Sequence, residues 1–144
     1  MKKVLISIML VVGFTACSIG LDAQQIVKKY RQSPRDNGLR AEIIEEDIIP
    51  FYKENANKDL EAMSYAKKCF NNALTTQEAN ECRTLIVDKY GDDYSFDKFK
   101  IWDKDMKQKM NDFLDNNTEA ISCYAKAKKA KDILPCKDPI DPNF

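Results

Sequence analysis

Four cysteines constrain this chain more than any other feature. Cys69 precedes Cys82 and Cys123 precedes Cys136, with twelve residues between the members of each pair. A fifth, Cys17, stands alone at the end of an N-terminal apolar run. In a small chain such spacing reads as a disulfide framework if the compartment is oxidising, and as something else if it is not. The N-terminus bears on which compartment it is.

Met1-Lys2-Lys3 is a short positive segment, and Val4 to Phe14 is an uncharged apolar run. Together they have the form of a secretory signal, which is set aside from fold reasoning. Phe14-Thr15-Ala16-Cys17 follows and resembles the lipobox of bacterial lipoproteins, with Phe14 where that class usually has Leu. The resemblance implies that Cys17 is alkylated with diacylglycerol and becomes the first residue of the mature protein. Ser18 follows Cys17 in place of Asp, which by the same resemblance implies outer-membrane sorting, facing the periplasm. Two other readings compete. Cleavage after Ala23 gives a soluble periplasmic or secreted protein, and the uncharged stretch from Val4 to Leu21 is just long enough for an uncleaved anchor. Parity excludes only the last, because lipidation of Cys17 or cleavage at Ala23 each leaves four cysteines for two bridges.

Without its signal the chain is one small domain, large enough to bury a real core. Loss of Lys2 and Lys3 from 23 basic residues leaves 21 against 23 acidic ones, so no basic footprint for nucleic acid is expected. The one basic run, Lys126, Lys128, Lys129 and Lys131, reads as the solvated face of a lysine-rich helix. Histidine is absent from the whole sequence. That removes Ser-His-Asp and Cys-His catalysis, histidine-containing zinc sites and haem with an axial histidine. Twelve-residue gaps do not suit paired zinc knuckles either. Neither a metal nor a cofactor is expected.

Few glycines and prolines, with apolar residues at three- and four-residue steps, predict an all-α fold. The expected architecture is a small bundle of antiparallel helical hairpins fastened by two disulfides. It divides into a signal peptide over 1–16, a tether over 17–38, a helical domain over 39–136 and an extended tail over 137–144. Within the tether, Asp22 to Gln32 is weakly amphipathic, and the Pro, Asn and Gly of 33–38 break it. Ile43, Ile44, Ile48, Phe51, Tyr52, Ala56, Leu60, Met63, Ala66 and Phe70 form one stripe, which Pro50 should kink or split. Asn71-Asn72 ends this helix. Thr75-Thr76-Gln77-Glu78 reads as a capping box for the next, with Ala79, Cys82, Leu85 and Ile86 inward and Gly91 as its stop. Ser95 or Asp97 is expected to cap a last helix whose stripe is Phe99, Trp102, Met106, Met110, Phe113, Ile121 and Tyr124. Asn116-Asn117 stands in it as an irregularity.

A hairpin turning at Asn71-Asn72 brings Cys69 and Cys82 to bridging distance. The second pair conflicts with local propensity. Ala125 to Leu134 lacks Gly, Pro and Asn, and a continuous helix would hold Cys123 and Cys136 roughly 18 Å apart. Either the helix breaks near Lys126 to Lys129, or Cys136 folds back from the proline tail, or the pairing is non-local. A repeat favours the break. A shift of 54 residues lays Ala66, Cys69, Phe70, Ala73 and Cys82 over Ala120, Cys123, Tyr124, Ala127 and Cys136.

Glu42, Glu45, Glu46 and Asp47 form the densest acidic cluster, but lack the Glu-x-x-His partner of a di-metal bundle site and read as a solvated face. Asp88, Asp92, Asp93 and Asp97 surround Gly91 without calcium-loop spacing and read as a connection. Tyr90, Tyr94, Phe96, Phe99 and Trp102 lie within thirteen residues. They are either the packed corner between two helices or a partner surface of aromatic anchors. The expected function is that of an envelope binding or structural protein, held to the membrane by lipid and meeting another envelope protein. Two alternatives remain open. One is a carrier with an apolar pocket at Trp102, Met106 and Met110, and the other a histidine-free enzyme with two carboxylates across a cleft.

Overall fold

A computed structural model describes residues 25–32 and 38–140; Cys17 and the lipobox lie outside the described residues. The fold is all-α, with two disulfide-bonded hairpins. Helix α1 covers 25–32. Helix α2 (Gly38–Ile43) passes through a π turn (Ile44–Ile48) into α3 (Ile49–Asn72). Helix α4 is Thr76–Tyr90 and α5 is Lys104–Lys126. Short 3₁₀ turns stand at Asp92–Tyr94 and Ala130–Ile133. Among the described residues no helix is long and apolar enough to cross a membrane.

Helices α3 and α5 pack antiparallel and form the shared spine of two cores. In the first core, Ile49, Tyr52 and Ala56 from the start of α3 meet Ala120, Ile121 and Tyr124 from the end of α5. In the second, Ala62, Ala66 and Phe70 from the end of α3 meet Met110, Phe113 and Leu114 from the start of α5. Met63 touches both.

Each core holds one disulfide. Cys69 and Cys82 join α3 to α4 with Cα atoms 5.8 Å apart. Cys123 and Cys136 join α5 to the bend that follows the last 3₁₀ turn, with Cα atoms 5.6 Å apart. The helix breaks at Lys126, which realises the first of the three routes open to the second bridge. The two hairpins also match in detail at the 54-residue shift. The residues that end the helices, Ala73 (φ −66°, ψ 126°) and Ala127 (φ −63°, ψ 144°), leave in the same extended conformation. Thr75 (φ −124°, ψ 160°) and Lys129 (φ −135°, ψ 160°) then open the next helical segments alike. The Glu78 carboxylate accepts from the N–H groups of Leu74 and Thr75 at 2.6 and 3.1 Å, and Asp132 accepts from those of Lys128 and Lys129, both at 2.9 Å. The Thr75 hydroxyl completes the first box by accepting from Glu78 N–H at 3.2 Å. The lysine side chain at 129 has no acceptor with which to do the same.

Three expectations are corrected, and a fourth, the interruption at Pro50, takes the form of a π turn in a chain that stays helical. The π turn just before Pro50 links Ile49 N–H to Ile44 O, five residues back, and absorbs the misfit where proline offers no donor. That longer turn also sets Ile49, absent from the expected stripe, beneath Ile44 in the core. Phe51 and Leu85 face solvent, because each precedes a core position (Tyr52, Ile86) and is rotated from it by roughly 100°. The last helix starts at Lys104, capped by Asp103, whose carboxylate accepts from Met106 N–H at 2.8 Å; Phe99 and Trp102 lie in an extended segment before it. The lysines at 126–131 do not share a helix face, since the chain turns among them.

Packing also begins earlier than the expected boundary at Leu39. Val27 and Tyr30 of α1 are buried in the first core. Arg31 donates to Ile133 O (3.0 Å), Cys136 O (2.6 Å) and the Asp138 carboxylate (2.9 Å), tying α1 to the second disulfide turn. Asn116-Asn117 does not interrupt α5. The buried Asn117 amide donates to Phe113 O within the helix and to Ile140 O, while Asn116 donates to Asp138 O. Those bonds lay the tail over 137–140 along the helix.

Candidate functional site

The aromatic segment after α4 is positioned by three side chains of that helix. The Arg83 guanidinium donates to Phe96 O at 2.6 Å. The Asn80 amide donates to Phe99 O and accepts from Phe99 N–H, both at 3.0 Å. The Thr76 hydroxyl accepts from Trp102 N–H at 3.0 Å. Residues three or four apart on α4 thus meet backbone groups three apart on an extended chain running the other way. Helical side chains here take the place of a partner strand, satisfying backbone groups that burial would otherwise leave costly.

The inward consequence is a packed corner. Phe96, Phe99 and Trp102 surround Phe70, with ring centroids 5.4, 5.6 and 5.5 Å from it. The indole N–H donates to Ala73 O at 3.1 Å. Tyr90 is buried as well, and Trp102 is 7% exposed. Of the five residues considered as a partner surface, these four belong to the core, and only Tyr94 is half-exposed. Met110 is fully buried and Met106 packs against the same cluster, so protein atoms fill the place where a carrier pocket would lie.

Two features face outward. The first is an open groove of about 840 Å³ between α4 and the extended segment, lined by Thr76, Asn80, Glu81, Lys98, Phe99 and Lys100 among others. Its lining includes one carboxylate, Glu81, which accepts from the Gln77 amide at 2.9 Å, and two lysines. The second lies where α3 meets the end of α4. Tyr90 OH donates to Glu61 at 2.9 Å, and the Lys89 ammonium sits 3.4 Å from the same carboxylate oxygen. That ammonium lies over two rings at once, 4.6 Å from the centroid of Tyr65 and 4.9 Å from that of Tyr90. Beside it, Tyr94 OH donates to Asp59 at 2.5 Å, and the Lys58 ammonium lies 5.1 Å from the Tyr94 ring.

Burial raises the Asp59 carboxyl above the ordinary value, only partly offset by the Tyr94 hydrogen bond and by Lys58. Burial raises the Tyr94 phenol too, and the bond to Asp59 adds to the effect. Lys89 is held above its usual value, first by the Tyr90 hydroxyl and then by Glu61. The arrangement favours positive charge at the rings and keeps the Tyr94 phenol neutral.

The acidic clusters separate. Glu45 caps the last 3₁₀ turn, accepting from Ala130 N–H at 2.8 Å, while Glu42, Glu46 and Asp47 face solvent. Asp88, Asp92, Asp93 and Asp97 are exposed around Gly91, whose φ of 104° is the left-handed geometry that ends α4. Among the described residues, no three His, Cys, Asp or Glu side chains are grouped to hold a metal ion. Lys58, Glu61, Tyr65 and Lys89 were not singled out in the sequence. Their signal was faint: Glu61 and Tyr65 are four apart on α3, one helical turn, and Lys89 directly precedes Tyr90. Compared with family models, curated proteins and solved structures, the chain matches none.

Proposed function

We propose that this protein is a small helical lipoprotein of a bacterial envelope, anchored through Cys17, that works by binding another envelope component. The lipobox-like Phe14-Thr15-Ala16-Cys17 carries the reading, and thiol parity agrees with it. Cys69, Cys82, Cys123 and Cys136 are consumed by two bridges with Cα separations of 5.8 and 5.6 Å, and Cys17 is the one cysteine left, at the lipobox position. Paired thiols fit an oxidising compartment, and a single unpaired cysteine there calls for a chemical role. Lipidation supplies one. A mature anchor of two or three acyl chains holds stably, where one chain alone would not. The exposed groove on α4 and the tyrosine–lysine cluster favour binding over catalysis, as neither places two carboxylates across a cleft.

Metabolic labelling with a clickable fatty acid tests the anchor. The wild-type chain takes up label and fractionates with membranes, and Cys17→Ser loses the label and moves to the soluble fraction. A wild-type chain that is unlabelled and soluble overturns the reading. Crosslinking in intact cells then identifies the neighbour.

A further inference from the structure

The Lys89 ammonium lies against two tyrosine rings and a carboxylate. Two tyrosine faces flank its Nζ at 4.6 and 4.9 Å, with the ring centroids 5.7 Å apart and their planes at 63°. The Glu61 carboxylate closes a third side at 3.4 Å and is fixed by the Tyr90 hydroxyl. Aromatic faces with a carboxylate are the arrangement by which proteins hold quaternary and methylated ammonium ligands. The walls are anchored. Tyr90 is buried in the second core, and Tyr65 packs edge-on against it. The occupant is not, since the Lys89 side chain is half-exposed on a flexible four-carbon stem.

We propose that Tyr65, Tyr90 and Glu61 form a binding site for a small alkylammonium ligand, with Lys89 as a built-in competitor that the ligand displaces. The walls belong to α3 and α4, which the Cys69–Cys82 bridge fastens together, so the cage persists when the lysine leaves. The contest is between an intramolecular ammonium at high effective concentration and a free one, so the native chain binds weakly. The inference concerns the folded domain alone and does not depend on whether Cys17 is lipidated.

Tetramethylammonium is the probe, followed by NMR at constant ionic strength with sodium as the control cation. Ring currents should move its methyl signal upfield, and the Tyr65 and Tyr90 ring resonances should shift together. Lys89→Met removes the competitor. It should bind saturably at about millimolar concentration, about tenfold more tightly than the wild type. Adding Tyr65→Ala to that variant should abolish the shift. Lys89→Gln, equally exposed, should behave like Lys89→Met and guards against a fault peculiar to one substitution. The absence of a saturable shift in both folded Lys89 variants up to about 100 mM overturns the proposal. So does a shift that survives loss of Tyr65.

Discussion

The Asn80 side chain pairs with the backbone of Phe99 at both ends, donating to its carbonyl and accepting from its amide at 3.0 Å each. This amide stands in for a strand partner and holds the chain around Phe99 out of helix where apolar spacing alone suggests one. Asn80→Ala should therefore cost about 2–3 kcal/mol, the sum of two partly buried backbone groups losing their partners. Chemical denaturation checks it. Asn80→Asp keeps the acceptor and loses the donor, and should fall between alanine and wild type.

Removing either disulfide as a Cys→Ala pair should lower stability by about 3 kcal/mol, since both close loops of equal length. The local consequences should differ. Arg31 holds the carbonyls of Ile133 and Cys136, so losing Cys123–Cys136 should loosen α1 at the far end of the chain. Hydrogen exchange should show faster exchange over 25–32 in that variant and not in the Cys69–Cys82 one.

The Asp132 carboxyl lies below its usual value, chiefly because it accepts from Lys128 N–H and Lys129 N–H. A depressed folded value means that its contribution is present above pH 4 and lost as pH falls below it. Asp132→Asn should flatten the acid limb of the stability curve over that window. Asp59 has the opposite sign: its raised value favours the fold at low pH and ceases to do so as pH rises through that value. Asp59→Asn should therefore steepen the acid limb. Denaturant midpoints between about pH 2 and 6 distinguish the two.

Burial pushes the Tyr124 phenol up to about 12 and moves Tyr52, 4.7 Å away between ring centroids, further in the same direction. Their contribution to stability is full below pH 10 and is lost as pH rises toward the folded values. An ultraviolet titration should show Tyr52, Tyr94 and Tyr124 ionising late, together with unfolding. Tyr124→Phe should remove one late group.

What was legible in the sequence was local chemistry. Thr75 and Glu78 lie three residues apart and carry their cap with them, so the first hairpin and its bridge could be read directly. The second hairpin was harder because Lys129 occupies the N-cap position and offers no hydroxyl. Asp132 still supplies the carboxylate half, and applying the 54-residue shift to Glu78 would have pointed to it. The extended segment was illegible for a different reason. Phe96, Phe99 and Trp102 have helical spacing, and the groups that override it (Thr76, Asn80 and Arg83) lie on another helix. The same spacing reads first as a packed corner and second as a surface, and burial against Phe70 decides for the corner at all but Tyr94. The ammonium cage depends on contacts between α3 and α4 that no short motif encodes.

The proposed anchoring divides five cysteines between two tasks, one for lipid and four for two bridges. Mass spectrometry of the mature protein extracted from cells, before and after reduction, tests it most directly. The predicted result is a chain beginning at Cys17 and carrying diacylglycerol, with peptides linking Cys69 to Cys82 and Cys123 to Cys136. A chain beginning at Gln24 without lipid would contradict the anchor, and free thiols at the four paired positions would contradict the compartment.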